Sequence, residues 1–309
     1  MTGTDLTGEA LDHRALLAGL TPETRRELTA LSDTKGAVAT ARHFGVLVVS
    51  GVAIAWPIPG WWLLLVPHGL VLIFLFTLLH ETSHQTVFRT AWVNRAVGLV
   101  CGFVVFLPPL WFRYFHLAHH RHTHDPKHDP ELASPKPEGR WAYLLHISGL
   151  PVWRSQIVTL VDLARGHADA PYLPVGARPR IVAEARMLVA AYAVLTAGSI
   201  ALGSAVLVWI WLVPALLGQP FLRLYLLAEH GRCPHVANML ANTRTTFTNR
   251  IVRTLAWNMP YHAEHHAYPS VPFHRLPDFH VIARKHLLET EQGYARFNRR
   301  YWAAIASEA

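Results

Sequence analysis

Two long stretches of this chain, Phe44 to Leu79 and Met187 to Leu222, contain no Asp, Glu, Lys or Arg. A helix crosses a bilayer with about 20 apolar residues, so each stretch is long enough for two helices joined by a tight turn. The turns are legible at Trp56-Pro57-Ile58-Pro59-Gly60 and between Gly198 and Ser204. A third uncharged run, Ala96 to Phe112, is shorter, bracketed by Arg95 and Arg113 and broken by Pro108-Pro109. It predicts a re-entrant or interfacial segment rather than a crossing. Trp141 to Leu163 is apolar with Arg154 and Asp162 interspersed, the pattern of one amphipathic surface helix. Near the start, Thr21 followed by Pro22 predicts a capped helix with proline in its first position. The pattern as a whole predicts an all-α integral membrane protein with four transmembrane helices in two hairpins and a cytoplasmic helical domain. Its parts are a cytoplasmic lead-in over 1–42, the membrane hairpins and the region between them over 43–230, and a cytoplasmic C-terminal region over 231–309.

Composition agrees with that pattern. Hydrophobic residues make up 51% of the chain and charged residues only 16%, against about 25% charged in a soluble domain. Neither predicted turn carries Lys or Arg, whereas Arg25, Arg26, Lys35 and Arg42 precede the first hairpin. Arg89, Arg95, Arg113, Arg121 and Lys127 follow it, and Arg223 and Arg232 follow the second. By the positive-inside bias both termini face the cytoplasm, as in a protein of a bacterial inner membrane. The first 40 residues are polar and of mixed charge, so no cleavable signal peptide is expected. The net charge of +8 then lies on the cytoplasmic face, where it can meet anionic headgroups or an acidic electron carrier; nothing else in the sequence points to nucleic acid. Cys101 and Cys233 stand alone without metal or redox spacing and read as small apolar residues.

Chemistry concentrates in the histidines. Three boxes, His80-Glu81-Thr82-Ser83-His84, His116-Leu117-Ala118-His119-His120 and His262-Ala263-Glu264-His265-His266, stand with a single His230 at the ends of the hydrophobic segments. Neutral imidazole ligates iron, zinc, copper or nickel, and i,i+3 and i,i+4 spacing is expected to set each box on one helix face. Nine ligands exceed one tetrahedral site and suit two metals. The first box alone also matches the zinc-peptidase pattern, with His80 and His84 on the metal and Glu81 as base. A metal transporter would need ionisable residues inside the spans, and the two uncharged stretches supply no Asp, Glu, Lys or Arg. Zinc has no redox chemistry and a zinc hydrolase needs only three or four ligands, so the number of histidines favours redox metals. His122, His124 and His128 lie near the second box and read as loop residues or outer partners of the ligands.

The order of the boxes, threaded through two hairpins, resembles the integral-membrane fatty acid desaturase superfamily, which also contains hydroxylases, carotenoid-modifying enzymes and oxidative decarboxylases. The likeness runs from about Thr21 to Leu276. It is carried most clearly by Phe115-His116-Leu117-Ala118-His119-His120-Arg121-His122-Thr123-His124-Asp125-Pro126 and by Asn258-Met259-Pro260-Tyr261-His262-Ala263-Glu264-His265-His266-Ala267-Tyr268-Pro269. The resemblance implies two irons held by His80, His84, His116, His119, His120, His230, His262, His265 and His266, with dioxygen as co-substrate. It implies desaturation of a lipid acyl chain, with hydroxylation or oxidative decarboxylation as alternatives on the same site. His230, within Leu227-Ala228-Glu229-His230-Gly231, is similar to the single histidine of membrane alkane hydroxylases. Acyl-CoA desaturases place an asparagine ligand one turn earlier, where this chain has Leu226. An all-imidazole shell brings no negative charge, so nearby carboxylates are expected to compensate and to orient the rings; Glu81, Asp125, Glu229 and Glu264 are the candidates. No haem-binding His-Pro-Gly-Gly, flavin fingerprint or cysteine cluster is present, so electrons are expected from a separate ferredoxin-type carrier and its reductase.

Overall fold

A computed structural model of the protein describes residues 11–56 and 58–307; the first ten residues of the lead-in and Pro57 of the first turn lie outside them. The chain runs α1 His13–Ala18, α2 Pro22–Leu28, α3 Asp33–Ala55, α4 Leu65–Ile73, α5 Leu75–His84, α6 Ala91–Val104 and α7 Pro109–His122. It continues with α8 Arg140–Ser148, α9 Leu150–Arg165, α10 Arg178–Ala201, α11 Val213–His230 and α12 Met239–Asn242. Last come β1 Thr245–Phe247, α13 Arg250–Leu255, α14 His262–Ala267, α15 Leu276–Ala283, β2 Thr290–Gln292 and α16 Tyr294–Ser307. The architecture is helical but for β1 and β2, which pair in parallel with Thr245 opposite Thr290. Thr21 caps α2 by accepting from the Thr24 amide, with Pro22 next to it, as the sequence predicts.

Four helical stretches are long and apolar enough to cross a membrane: Pro22–Ala55, Trp61–His84, Val175–Ala201 and Val208–His230. This is the build of an integral membrane protein. Two of the stretches are outer helices. Along α3, Val46, Val49 and Val52 are exposed, and at the end of α10 so are Val194 and Ile200, an apolar surface suited to lipid. The other two form the centre, where Ile73, Leu75, Leu78 and Leu79 are buried. In lipid, helix association relies on close packing rather than on escape from water, and α4 and α11 meet through small residues. A Cβ on Gly69 would fall 2.1 Å from the Pro214 carbonyl oxygen, and one on Gly218 would fall 2.1 Å from the Gly69 carbonyl oxygen. Only hydrogen fits at either place. Two histidines inside the spans are paired with backbone: His43 Nε2 lies 2.9 Å from the Val71 carbonyl and His68 Nε2 lies 2.9 Å from the Ile210 carbonyl.

Two expectations about element shape change. The amphipathic stretch is not one helix, because Gly149 sits between α8 and α9 with a φ of 73° and Gln219 presses where its Cβ would be. A left-handed residue ends a helix, and Pro151 starts the next. The second uncharged stretch also departs from a simple side-by-side hairpin. Helix α10 packs on α9 and α7, and its Tyr192 stacks on Phe103 of α6, whereas α11 packs chiefly on α4. The short third run behaves as its prolines suggest: α6 and α7 are bent by 100° at the break before Pro109.

Candidate metal centre

Four elements bring the histidines together. Helix α5 ends with His80 and His84, and Gln85 stops it in a left-handed conformation. Helix α7, turned away from α6 at the proline pair, carries His116, His119 and His120. Helix α11 delivers His230 at its last residue. The short α14 carries His262, His265 and His266, and it is reached through Trp257 and Asn258, both with positive φ. The Asn258 side chain donates to the Phe273 carbonyl at 2.9 Å and the Trp257 indole donates to His43 at 3.1 Å, contacts that hold this costly backbone in place.

The nine box and singleton histidines converge, all but one of them buried and His84 nearly so, and they divide into two groups. Among the described residues the ring nitrogens of His80, His84, His116, His120 and His265 form one group, and those of His119, His230 and His266 another. His262 joins the second group, its Nε2 lying 3.2 Å from that of His230. The expectation that each box keeps to one helix face is therefore corrected. Successive helical residues point about 100° apart, so an i,i+4 pair stays together and the i+3 residue crosses over. His80 with His84, His116 with His120, and His262 with His266 are such pairs; His119 and His265 each cross to the other group.

The spacing fits metal ligation. Two imidazoles on one metal, with bonds of about 2.0–2.1 Å, place their nitrogens about 2.9–3.4 Å apart for angles between square and tetrahedral. The Nε2 atoms of His84 and His116 are 2.8 Å apart, those of His84 and His265 3.2 Å, and those of His119 and His230 3.3 Å. Buried ring nitrogens facing one another in this way satisfy nothing by themselves, and among the described residues neither nitrogen of His80 or of His120 has a hydrogen-bond partner. Orphaned buried polar atoms call for an explanation, and a cation at each group would provide it. Burial, reinforced by neighbouring imidazoles, holds His262, His265 and His266 well below the ordinary histidine value, so they stay neutral with a lone pair free.

Outer contacts fix which nitrogen faces inward. Asp129 Oδ1 lies 2.9 Å from His119 Nδ1; a carboxylate accepts there, which leaves Nε2 of His119 as the nitrogen that could ligate a metal. The Thr123 hydroxyl donates to the His119 carbonyl at 2.7 Å and its oxygen faces His266 Nδ1 at 3.2 Å. His230 Nδ1 is 3.5 Å from the Asn242 carbonyl and His262 Nδ1 is 3.5 Å from Glu229. Glu81, fully buried, accepts from Thr86 at 3.0 Å and from the Phe273 amide at 3.2 Å, and stands 3.8 Å from His265 Nδ1.

The other two expected carboxylates turn elsewhere. Glu264 accepts from Thr245 at 2.5 Å and pairs with His280, because its position on the short α14 points it away from both groups. Asp125 pairs with His128 at 2.7 Å on the surface, where His122 completes a third, more exposed group. His124 lies apart from the ligating nitrogens, its Nδ1 3.2 Å from the Pro234 carbonyl. Asp129, Thr123 and Asn242 escape the sequence reading because nothing in their spacing sets them apart from ordinary loop residues. Leu226, in the asparagine position of acyl-CoA desaturases, is partly buried against the core. A cavity of about 830 Å³, lined by His124, Lys136, Arg232 and His235 among others, reaches His230 from outside.

Comparison with known proteins agrees with this geometry. The family model described as fatty acid desaturase matches residues 46–298. The chain is similar to the dihydrorhizobitoxine desaturase of Bradyrhizobium elkanii, 25% identical over 89% of this chain and 81% of that protein. It is similar to the Delta(12)-acyl-lipid-desaturase of Punica granatum, 29% identical over 59% of this chain and 51% of that protein. A third relative is the omega-6 fatty acid desaturase, endoplasmic reticulum isozyme 1, of Glycine max, 28% identical over 44% of this chain and 34% of that protein.

Proposed function

The chain belongs to the fatty acid desaturase family, and from that premise we infer that it is an oxygen-dependent, di-iron acyl-lipid desaturase of the inner membrane. It is an oxidoreductase; the acyl substrate, the reaction and the cytoplasmic placement of the site are the inferred parts. The observation that carries the reading is the convergence of nine histidines, eight of them buried, into a group of five and a group of three that His262 adjoins. Irons held by these two groups would supply dioxygen activation and oxidative removal of hydrogen from an unactivated methylene. Two hydrogens leave the substrate, and with two electrons from a ferredoxin-type carrier and two protons they reduce dioxygen to two waters.

The chain's own residues supply position. Asp129, Thr123, Glu229 and the Asn242 carbonyl aim Nε2 of His119, His266, His262 and His230 inward, which matters because a misplacement of about 1 Å can cost about 10²-fold in rate. The bend between α6 and α7 and the burial of α5 keep the ligating nitrogens out of bulk water. The test is a mass-spectrometric lipid profile of cells expressing the wild type or His265→Ala. The expected product is two mass units lighter and absent with the variant; a gain of sixteen units, or a terminal alkene, would replace desaturation by hydroxylation or decarboxylation. One zinc and no iron in the purified protein would overturn the site reading.

One observation favours a second reading. One relative, matched over 89% of this chain, is named for dihydrorhizobitoxine rather than for an acyl lipid, and the cavity reaching His230 carries Lys136, Glu138, Arg232 and His235 among prolines, Leu132 and Ile305. A smaller polar substrate entering there predicts an unchanged lipid profile beside a changed profile of water-soluble metabolites.

A further inference from the structure

The four-histidine group has an acidic neighbour that neither the boxes nor their adjacent acids account for. Glu131 lies in the short helical turn Pro130–Ala133, in the proline-rich segment after the second box. Its Oε2 is 3.4 Å from Nε2 of His119. This is the same nitrogen that stands 3.3 Å from His230 Nε2, and the proton of His119 is already placed on Nδ1 by Asp129. Neutral His119 thus presents a lone pair to a carboxylate oxygen, a facing that either a second proton on His119 or a metal cation between them would satisfy. The separation is that of two donors sharing one metal, about 2.9–3.4 Å.

The orientation of Glu131 is built in. Its other oxygen, Oε1, accepts from Lys136 at 2.5 Å, which turns Oε2 toward the histidines. The turn that displays it is fixed by Asp129, whose Oδ1 accepts from the Glu131 amide at 2.9 Å while also facing His119 Nδ1. One carboxylate therefore sets both the tautomer of His119 and the position of the second carboxylate.

We propose that Glu131 is a fifth donor to the metal of the four-histidine group, completing with a carboxylate the site that His119, His230, His262 and His266 begin. This rests on the two-metal reading above. It makes the two sites chemically unequal: five neutral imidazoles on one side, four imidazoles and an anion on the other. It also supplies an oxygen donor in a chain that has Leu226 where acyl-CoA desaturases have asparagine. Lys136 acts as a positioning residue, neutralising the outer oxygen and preventing the carboxylate from swinging into the adjoining cavity.

The test is Mössbauer spectroscopy of the full-length protein loaded with isotopically enriched iron, with iron content measured alongside. The wild type is expected to give two doublets. In Glu131→Gln one doublet moves or disappears and the other stays; two unmoved doublets would overturn the proposal. Should that variant fail to fold, the wild type decides alone. Electron–nuclear double resonance of its oxidised, paramagnetic irons, with glutamate labelled at the side-chain carboxyl carbon, is expected to show coupling to that carbon. Its absence would reject Glu131 as a ligand. A wild type that binds no iron would defeat the di-iron reading instead, so the two failures are distinguishable.

Discussion

The two histidine groups are held in different ways. In the group of four, every outward Nδ1 faces an oxygen: Asp129 for His119, Thr123 for His266, the Asn242 carbonyl for His230 and Glu229 for His262. In the group of five, among the described residues, neither nitrogen of His80 or His120 has a hydrogen-bond partner, and the Nδ1 of His265 has Glu81 at 3.8 Å. There the rings are held by packing: His116 stacks on Phe112 with ring centroids 5.3 Å apart, and His120 stacks on His266 at 3.9 Å. The first arrangement uses hydrogen bonds from Asp129, Thr123 and the Asn242 carbonyl, with Glu229 of α11 standing 3.5 Å from His262; the second uses the rigidity of α5 and α7. A hydrogen-bonded ligand can be loosened by changing one atom, whereas a packed one yields only when volume is removed.

Removing one ligand from each group gives the largest effect. His84→Ala and His262→Ala are both expected to abolish product formation, and elemental analysis should find each protein short of a different iron, recognisable by which Mössbauer doublet it retains. Loss of the same doublet in both would break the division into two groups. Next in size is Asp129→Asn. It puts an amide where the carboxylate accepted, and outer partners of this kind are worth about 10–100-fold in metal affinity or activity. Iron titration into the metal-free protein should show that weakening in the four-histidine site only. The smallest effect is a pH dependence of the metal-free protein. Burial lowers the values of His262, His265 and His266 below the unfolded value of 6.5, so as pH falls through 6.5 the unfolded chain takes up protons that the folded chain does not. Thermal unfolding should therefore occur at lower temperature at about pH 5.5 than at about pH 7.5, and saturating iron should reduce the difference.

Much of this centre is legible in the sequence. The uncharged stretches mark crossings because hydrocarbon tolerates few charges, and the nine histidines announce themselves by spacing. The sharing of boxes between groups is implicit in the same spacing: 100° per residue cannot keep His119 and His120 on one side. The outer contacts are not legible in this way. Asp125 and Glu264 stand next to ligands, but adjacency along a chain says nothing about direction, and both point away. Asp129 and Glu131 reach the centre only because the proline-rich segment folds back over α7. The break at Gly149 is hidden for a similar reason, since it depends on Gln219, far along the chain.

The contact of Gly69 with Pro214 and Gly218 has a mechanical consequence. Each of the two central helices is pinned there, and each ends in ligands. His80 lies 11 residues beyond Gly69 and His230 lies 12 beyond Gly218, lever arms of roughly 16–18 Å at 1.5 Å per residue. With the fulcrum fixed by bare backbone, a tilt of only about 4° would carry a histidine through about 1 Å, the displacement at which positioning begins to fail. A methyl group added at this crossing would thus act on the chemistry at a distance, without touching a single ligand.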